Sequence, residues 1–208
     1  MSTSQVHGDE FADFMRAGFR RSADRYRSNT QSVIDIESEF DKIRFLPTSI
    51  KVSGNGGLAL ADARRFWSHK NDYRILLGKW TQMGNDKRFG SLIEFIVTGD
   101  EHKQLLGDVT LEEVSWYHDA LTEFEEGVRN ANLARQFVEE VKPFFSGRSI
   151  VTLNAKIDDK KQRRLQCSIT EKRLRANINE WEEFKNYYKG IKLGFEFYST
   201  PREFRLNE

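Results

Sequence analysis

Apolar residues recur at two different periods along this chain, and the switches between them mark the expected elements. Residues 9–27 carry Phe11, Phe14, Met15, Phe19, Ala23 and Tyr26 at spacings of three and four, with Arg16, Arg20, Arg21, Arg25 and Arg27 between them, which predicts an amphipathic helix. A shorter helix is expected over residues 32–40, with Val33, Ile36 and Phe40 on one face and Asp35 and Glu39 nearby. The period then changes. Residues 41–46 and 48–53 read as two short apolar strands about Pro47, the second carrying Lys51, followed by the turn Gly54-Asn-Gly-Gly57. A short helix packed by Leu60, Phe66 and Trp67 is expected over residues 58–67. Residues 73–80 form a nearly continuous apolar run, the mark of a buried central strand, and residues 92–97 form another, with Glu94 its lone charge, expected on an open sheet edge and with a metal role as the alternative.

Thr110 and Glu113 fit a capping box that opens a helical region reaching about residue 145, with a break expected at Gly127. Its acidic face, with Glu123, Glu125, Glu126, Glu139 and Glu140, points to scaffold or a protein interface and away from DNA. Residues 149–157 and 165–169 alternate as strands, Trp181, Phe184 and Tyr188 suggest a helix over residues 178–188, and residues 194–198 suggest an edge strand. The pattern gives a mixed α/β class and a single domain of residues 1–208, with 147–208 as a possible recognition subregion. No repeat, low-complexity tract or linker interrupts it.

Composition narrows the function classes. The 208 residues are 31% charged and 38% hydrophobic, a globular balance with length enough for a substantial core. With 33 basic against 32 acidic residues the net charge is +1, so any nucleic-acid footprint must be local. One segment stands out. Residues 156–175 hold eight basic residues against three acids. Gln162, Arg163, Arg164 and Gln166 are candidates for base readout, since Arg forks onto guanine and Gln onto adenine, while Lys156, Lys160 and Lys161 suit the phosphate backbone. The same residues also suit a solvated turn. The single cysteine, Cys167, excludes a disulfide framework and a Cys-rich zinc site and suits a reducing cytoplasm. No run approaches a membrane span and the start lacks a signal-peptide core, so a cytoplasmic protein is expected. His7, His69, His102 and His118 show no zinc-ligand spacing, and the glycine turn lacks the Gly-Lys-Ser/Thr of a P-loop.

The stretch from Asp41 through Lys51 to Asp62 resembles the active-site hairpin of the PD-(D/E)xK nuclease superfamily, whose type II restriction endonucleases place an acid, then (D/E)xK, then a helix. The chain departs from that pattern twice. No proline precedes Asp41, and Ser49 stands where the second acid is expected. One branch of restriction enzymes has the same SxK variant with its acid relocated downstream, which Asp62, eleven residues after Lys51, matches. The resemblance implies a restriction-endonuclease-like core, with a central mixed sheet flanked by helices. It implies Asp41, Ser49, Lys51 and Asp62 as catalytic positions, with Asp41, Asp62 and Glu39 as ligands for Mg²⁺. Asp35, Glu37, Glu39 and Asp41 all remain open as the completing acid. It further implies a homodimer that cleaves double-stranded DNA at a specific sequence, with a cognate DNA methyltransferase in the same cell. Two alternatives stand beside it: a noncatalytic nucleic-acid-binding regulator on a degenerate nuclease-like core, favoured by Ser49, and a structural subunit that docks through its aromatic helices.

Overall fold

The computed structural model describes residues 34–35, 45–83, 86–124, 128–157 and 163–185. The helices expected over residues 9–27 and 32–40, the strand before Pro47 and the strand over residues 194–198 lie wholly or largely outside the described residues. Asp35, the candidate acid of that second helix, is described, and it is not helical.

Two sheets share one core in a mixed α/β architecture. β1 (Thr48–Ser53) pairs in parallel with β3 (Tyr73–Met83), which pairs antiparallel with β4 (Asp86–Val97), which pairs antiparallel with β7 (Glu180–Lys185), giving the order β1-β3-β4-β7. The second sheet is antiparallel, with β2 (Gly57–Asp62), β6 (Arg163–Thr170) and β5 (Thr152–Ile157) in the order β2-β6-β5. Five helices flank the sheets among the described residues: α1 (Ala63–Ser68), α2 (Gly99–Leu106), α3 (Leu111–Thr122), α4 (Val128–Phe145) and α5 (Glu171–Asn177). None of them is long and apolar enough to cross a membrane. Leu58 and Leu60 of β2, Ile75 and Leu77 of β3, Ile93 and Phe95 of β4, and Leu165 and Ile169 of β6 meet Phe66, Trp67, Tyr117 and Phe145 from the helices in a continuous apolar cluster. Burial on that scale is the main force holding the two sheets together.

The central strand falls where the apolar run placed it, and the Thr110 capping box is formed in both directions. Three expectations are corrected and one element was not expected. Residues 58–67 are half strand and half helix, because Leu58 and Leu60 are buried alternately with exposed Ala59, a period of two, and the helix starts only where Asp62 caps it. Glu94 does not face solvent on an open edge: β4 is interior to its sheet, and the carboxylate is buried against Arg74. Residues 180–185 form a strand, with Trp181 and Phe184 on opposite faces, since docking on β4 satisfies a row of β4 backbone groups that a helix would leave unpaired. Helix α2 was not anticipated, although Thr98 and Glu101 form the same reciprocal capping box as Thr110 and Glu113.

Helix α2 ends at Gly107, whose φ of +65° lies in the left-handed region, and a Cβ there would sit 2.0 Å from the Arg148 carbonyl oxygen. Backbone on the other side cannot swing away as a side chain could. Gly107→Ala is therefore expected to lower stability by about 2–4 kcal/mol through strain and displaced backbone, measured as a drop in urea midpoint with unchanged slope.

Candidate active site

Lys51 stands on β1 between Ser49 and Ser53, and strand alternation puts all three side chains on one face. The register aligns them with Ile75, Leu77 and Lys79 of β3. The lysine is 14% exposed, low for a residue that usually extends into water. Asp35 accounts for this. Its backbone N–H donates to the Thr48 carbonyl at 2.8 Å, its Oδ2 accepts from the Ile50 N–H at 2.7 Å, and the same oxygen lies 3.7 Å from Lys51 Nζ. Residue 35 is thereby stitched to the edge of β1 that β3 leaves open, and the carboxylate and ammonium are held as a half-buried pair. Ser49 Oγ, on the Lys51 face, is buried with no hydrogen-bond partner among the described residues. Of the four acids that could complete the site, Asp35 is the one whose place is described; Glu37, Glu39 and Asp41 lie outside the described residues.

Asp62 ends β2 and caps α1, its Oδ1 accepting from the Arg65 N–H at 3.3 Å. Its Oδ2 lies 3.8 Å from His118 Nε2 on α3. The two helices are tied together by the Arg64–Asp119 ion pair, by Arg64 Nη2 donating to the Ser115 carbonyl at 3.0 Å, and by Trp67 Nε1 donating to the Val109 carbonyl at 2.9 Å. Cys167 stands opposite Ala61 in the β2–β6 register. Burial pushes its thiol up to about 12, a rise opposed by its contact with the Ala61 carbonyl and aided by the Asp62 carboxylate. A thiol this hard to ionise is no nucleophile. Its Sγ instead points to the Ala61 carbonyl at 3.5 Å.

Lys79, opposite Ser53 in the register, is paired with Glu171 at 3.1 Å. His118 was missed by spacing in the chain, since residues 62 and 118 meet only through the packing of α1 on α3. Among the described residues no three carboxylate, imidazole or thiol groups gather as a metal site. Asp35 and Asp62 do supply hard oxygen donors of the kind Mg²⁺ takes, and Mg²⁺ commonly uses only one or two protein carboxylates.

The basic segment divides between two faces. Arg163 is buried on the core face of β6 with Leu165 and Cys167, whereas Arg164 and Gln166 lie on the opposite, half-buried polar face. The four candidates therefore do not form one readout surface, because alternate residues of a strand point to opposite sides. The register sets Asp62, Gln166 and Asn154 in one row across the three strands and Arg164 beside Lys156 in the next. Lys160, Lys161 and Gln162 lie outside the described residues.

A second polar cluster is structural. His102 is buried between α1 and β3, with Nε2 3.0 Å from the Phe66 carbonyl and Nδ1 3.2 Å from the Tyr73 hydroxyl. The carbonyl is an acceptor only, so Nε2 carries the proton and Nδ1 accepts from Tyr73. Burial drives the imidazole down to about 4 from its ordinary 6.5, and Tyr73, fully buried, stays protonated. The unfolded chain binds this proton below pH 6.5 and the native state does not until about 4, so stability falls as pH drops through that window. The loss from this group approaches about 3 kcal/mol below pH 4. Urea midpoints between pH 7.5 and 4.5 are expected to fall accordingly, and His102→Asn should flatten that dependence.

Compared with known proteins, the chain matches no family model, no curated protein and no solved structure.

Proposed function

We propose that this protein is a Mg²⁺-dependent endonuclease of the restriction type, acting on double-stranded DNA as a homodimer through a restriction-endonuclease-like core. The observation that supports this reading most is the 3.7 Å approach of Asp35 to Lys51 at the edge of β1. An ammonium beside carboxylates is the chemistry that phosphodiester hydrolysis needs.

Lys51 would orient the attacking water and stabilise negative charge as it grows on the phosphorus oxygens in the transition state. Asp35 fixes the ammonium so that little reorganisation is needed when that charge appears. Asp62, anchored as the cap of α1, presents a second carboxylate with limited freedom. Mg²⁺ held by Asp35 and Asp62 would polarise the phosphate and lower the pKa of a bound water. Asp41 and Glu39 remain proposed contributors of the same kind.

A noncatalytic nucleic-acid binder is the second reading, favoured by the serine at position 49. Calorimetry separates the two. Mg²⁺ binding that weakens at least about tenfold in Asp62→Asn is the expected result; Asn keeps the helix cap while removing the charge, so the fold is preserved. DNA binding with no heat of Mg²⁺ binding would favour the noncatalytic reading instead.

A further inference from the structure

The polar face of the three-stranded sheet carries a cation pair that the described residues leave unbalanced. The β5–β6 register sets Lys156 directly opposite Arg164. Side chains in that relation have Cβ atoms about 5 Å apart, and like charges there destabilise a sheet. Among the described residues neither cation has an acidic partner, and Arg164 Nε is buried without a hydrogen-bond acceptor. A donor removed from water and left unmatched is a cost that a bound oxygen would remove. One row further along, Gln166 stands between Asn154 and Asp62. Two residues along a strand cover about 7 Å, so the cation pair lies a short step from the row that ends at the Asp62 carboxylate.

We propose that Lys156 and Arg164 together clamp one backbone phosphate of duplex DNA, beside the phosphodiester presented to Asp62 and Lys51. This deepens the nuclease reading and rests on it for the identity of the anion. It makes Arg164 a sequence-independent contact and leaves base discrimination on this face to Gln166. The cross-strand repulsion, a fault in the free protein, becomes the means by which a polyanion is preferred over water.

The test is anisotropy of a labelled mixed-sequence duplex titrated with the full chain without Mg²⁺, over a series of salt concentrations. Wild type is compared with Lys156→Ala and Arg164→Ala, and each protein is also melted without DNA. Each variant is expected to bind roughly tenfold more weakly at about 0.1 M salt and to reduce the slope of log K against log salt by about 0.9. Relief of repulsion should leave the melting temperature unchanged or raised. Affinity and slope equal to wild type in both variants would overturn the clamp, as would a lowered melting temperature, which would mark the pair as structural. If wild type cleaves DNA with Mg²⁺ while the variants bind as it does, the clamp falls and the nuclease stands. If the variants lose affinity as expected and no Mg²⁺-dependent cleavage occurs, the clamp stands and the nuclease falls. A wild type that binds no duplex at any salt removes both.

Discussion

Lys51→Ala is expected to slow single-turnover DNA cleavage by at least about 10³-fold while leaving duplex affinity close to that of wild type. The size follows from the role. Removing one preorganised charge from the place where negative charge develops typically costs 10²–10³ in rate, and here the lost group would also orient the nucleophile, adding to the loss. The fold should survive, because the Ile50 N–H keeps its bond to Asp35 and the apolar partners of β1 on β3 are untouched. Lys51→Arg sharpens the test: the guanidinium keeps the charge, but its planar fork does not reproduce a compact ammonium, so only partial recovery is expected. A Lys51→Ala protein that cuts at the wild-type rate would remove this lysine from the mechanism.

Glu94→Ala is expected to be the most damaging single change to stability, at about 3–5 kcal/mol. Arg74 is completely buried on β3, its Nη1 lies 3.2 Å from Glu94 Oε1, and its Nε donates to Thr48 Oγ1 at 3.0 Å. Truncating the glutamate leaves a buried guanidinium short of this counter-charge. The consequence reaches the candidate site, since Thr48 opens β1 and its carbonyl receives the N–H of Asp35. Chemical denaturation measures the loss. Replacing both partners by apolar residues of similar volume, as in Arg74→Met with Glu94→Leu, is expected to restore much of it, because neither member of the pair is then left without the other. A Glu94→Ala protein within 1 kcal/mol of wild type would show that the pair is not the anchor described.

What could be read in the sequence was local. The apolar run of β3, the alternation of β5 and β6 and the Thr110 cap each announce themselves within a few residues. The errors have local causes as well. Trp181 and Phe184 are three apart and suggest a helix, yet β4 offers residues 180–185 a row of backbone partners, and pairing overrides the spacing. Leu58 and Leu60 show a period of two that a following helix obscures. For the candidate site, the family resemblance proposed Lys51 and Asp62, and the acid described beside Lys51 is Asp35, sixteen residues upstream. Its place depends on its pairing along the open edge of β1, which no periodicity reports. The approach of His118 to Asp62 is equally non-local. Arg163 and Arg164 look equivalent in a basic run, and only the position of β6 in its sheet separates one as core and the other as surface.

The most direct test of the central claim is incubation of the purified protein with phage or plasmid DNA, with and without Mg²⁺, resolved on a gel. Discrete fragments that require Mg²⁺ are the expected result and would allow the recognition site to be mapped. A smear would keep a nuclease but contradict its sequence specificity, and intact DNA across a range of substrates would contradict the assignment of Asp35, Lys51 and Asp62 as a hydrolytic site.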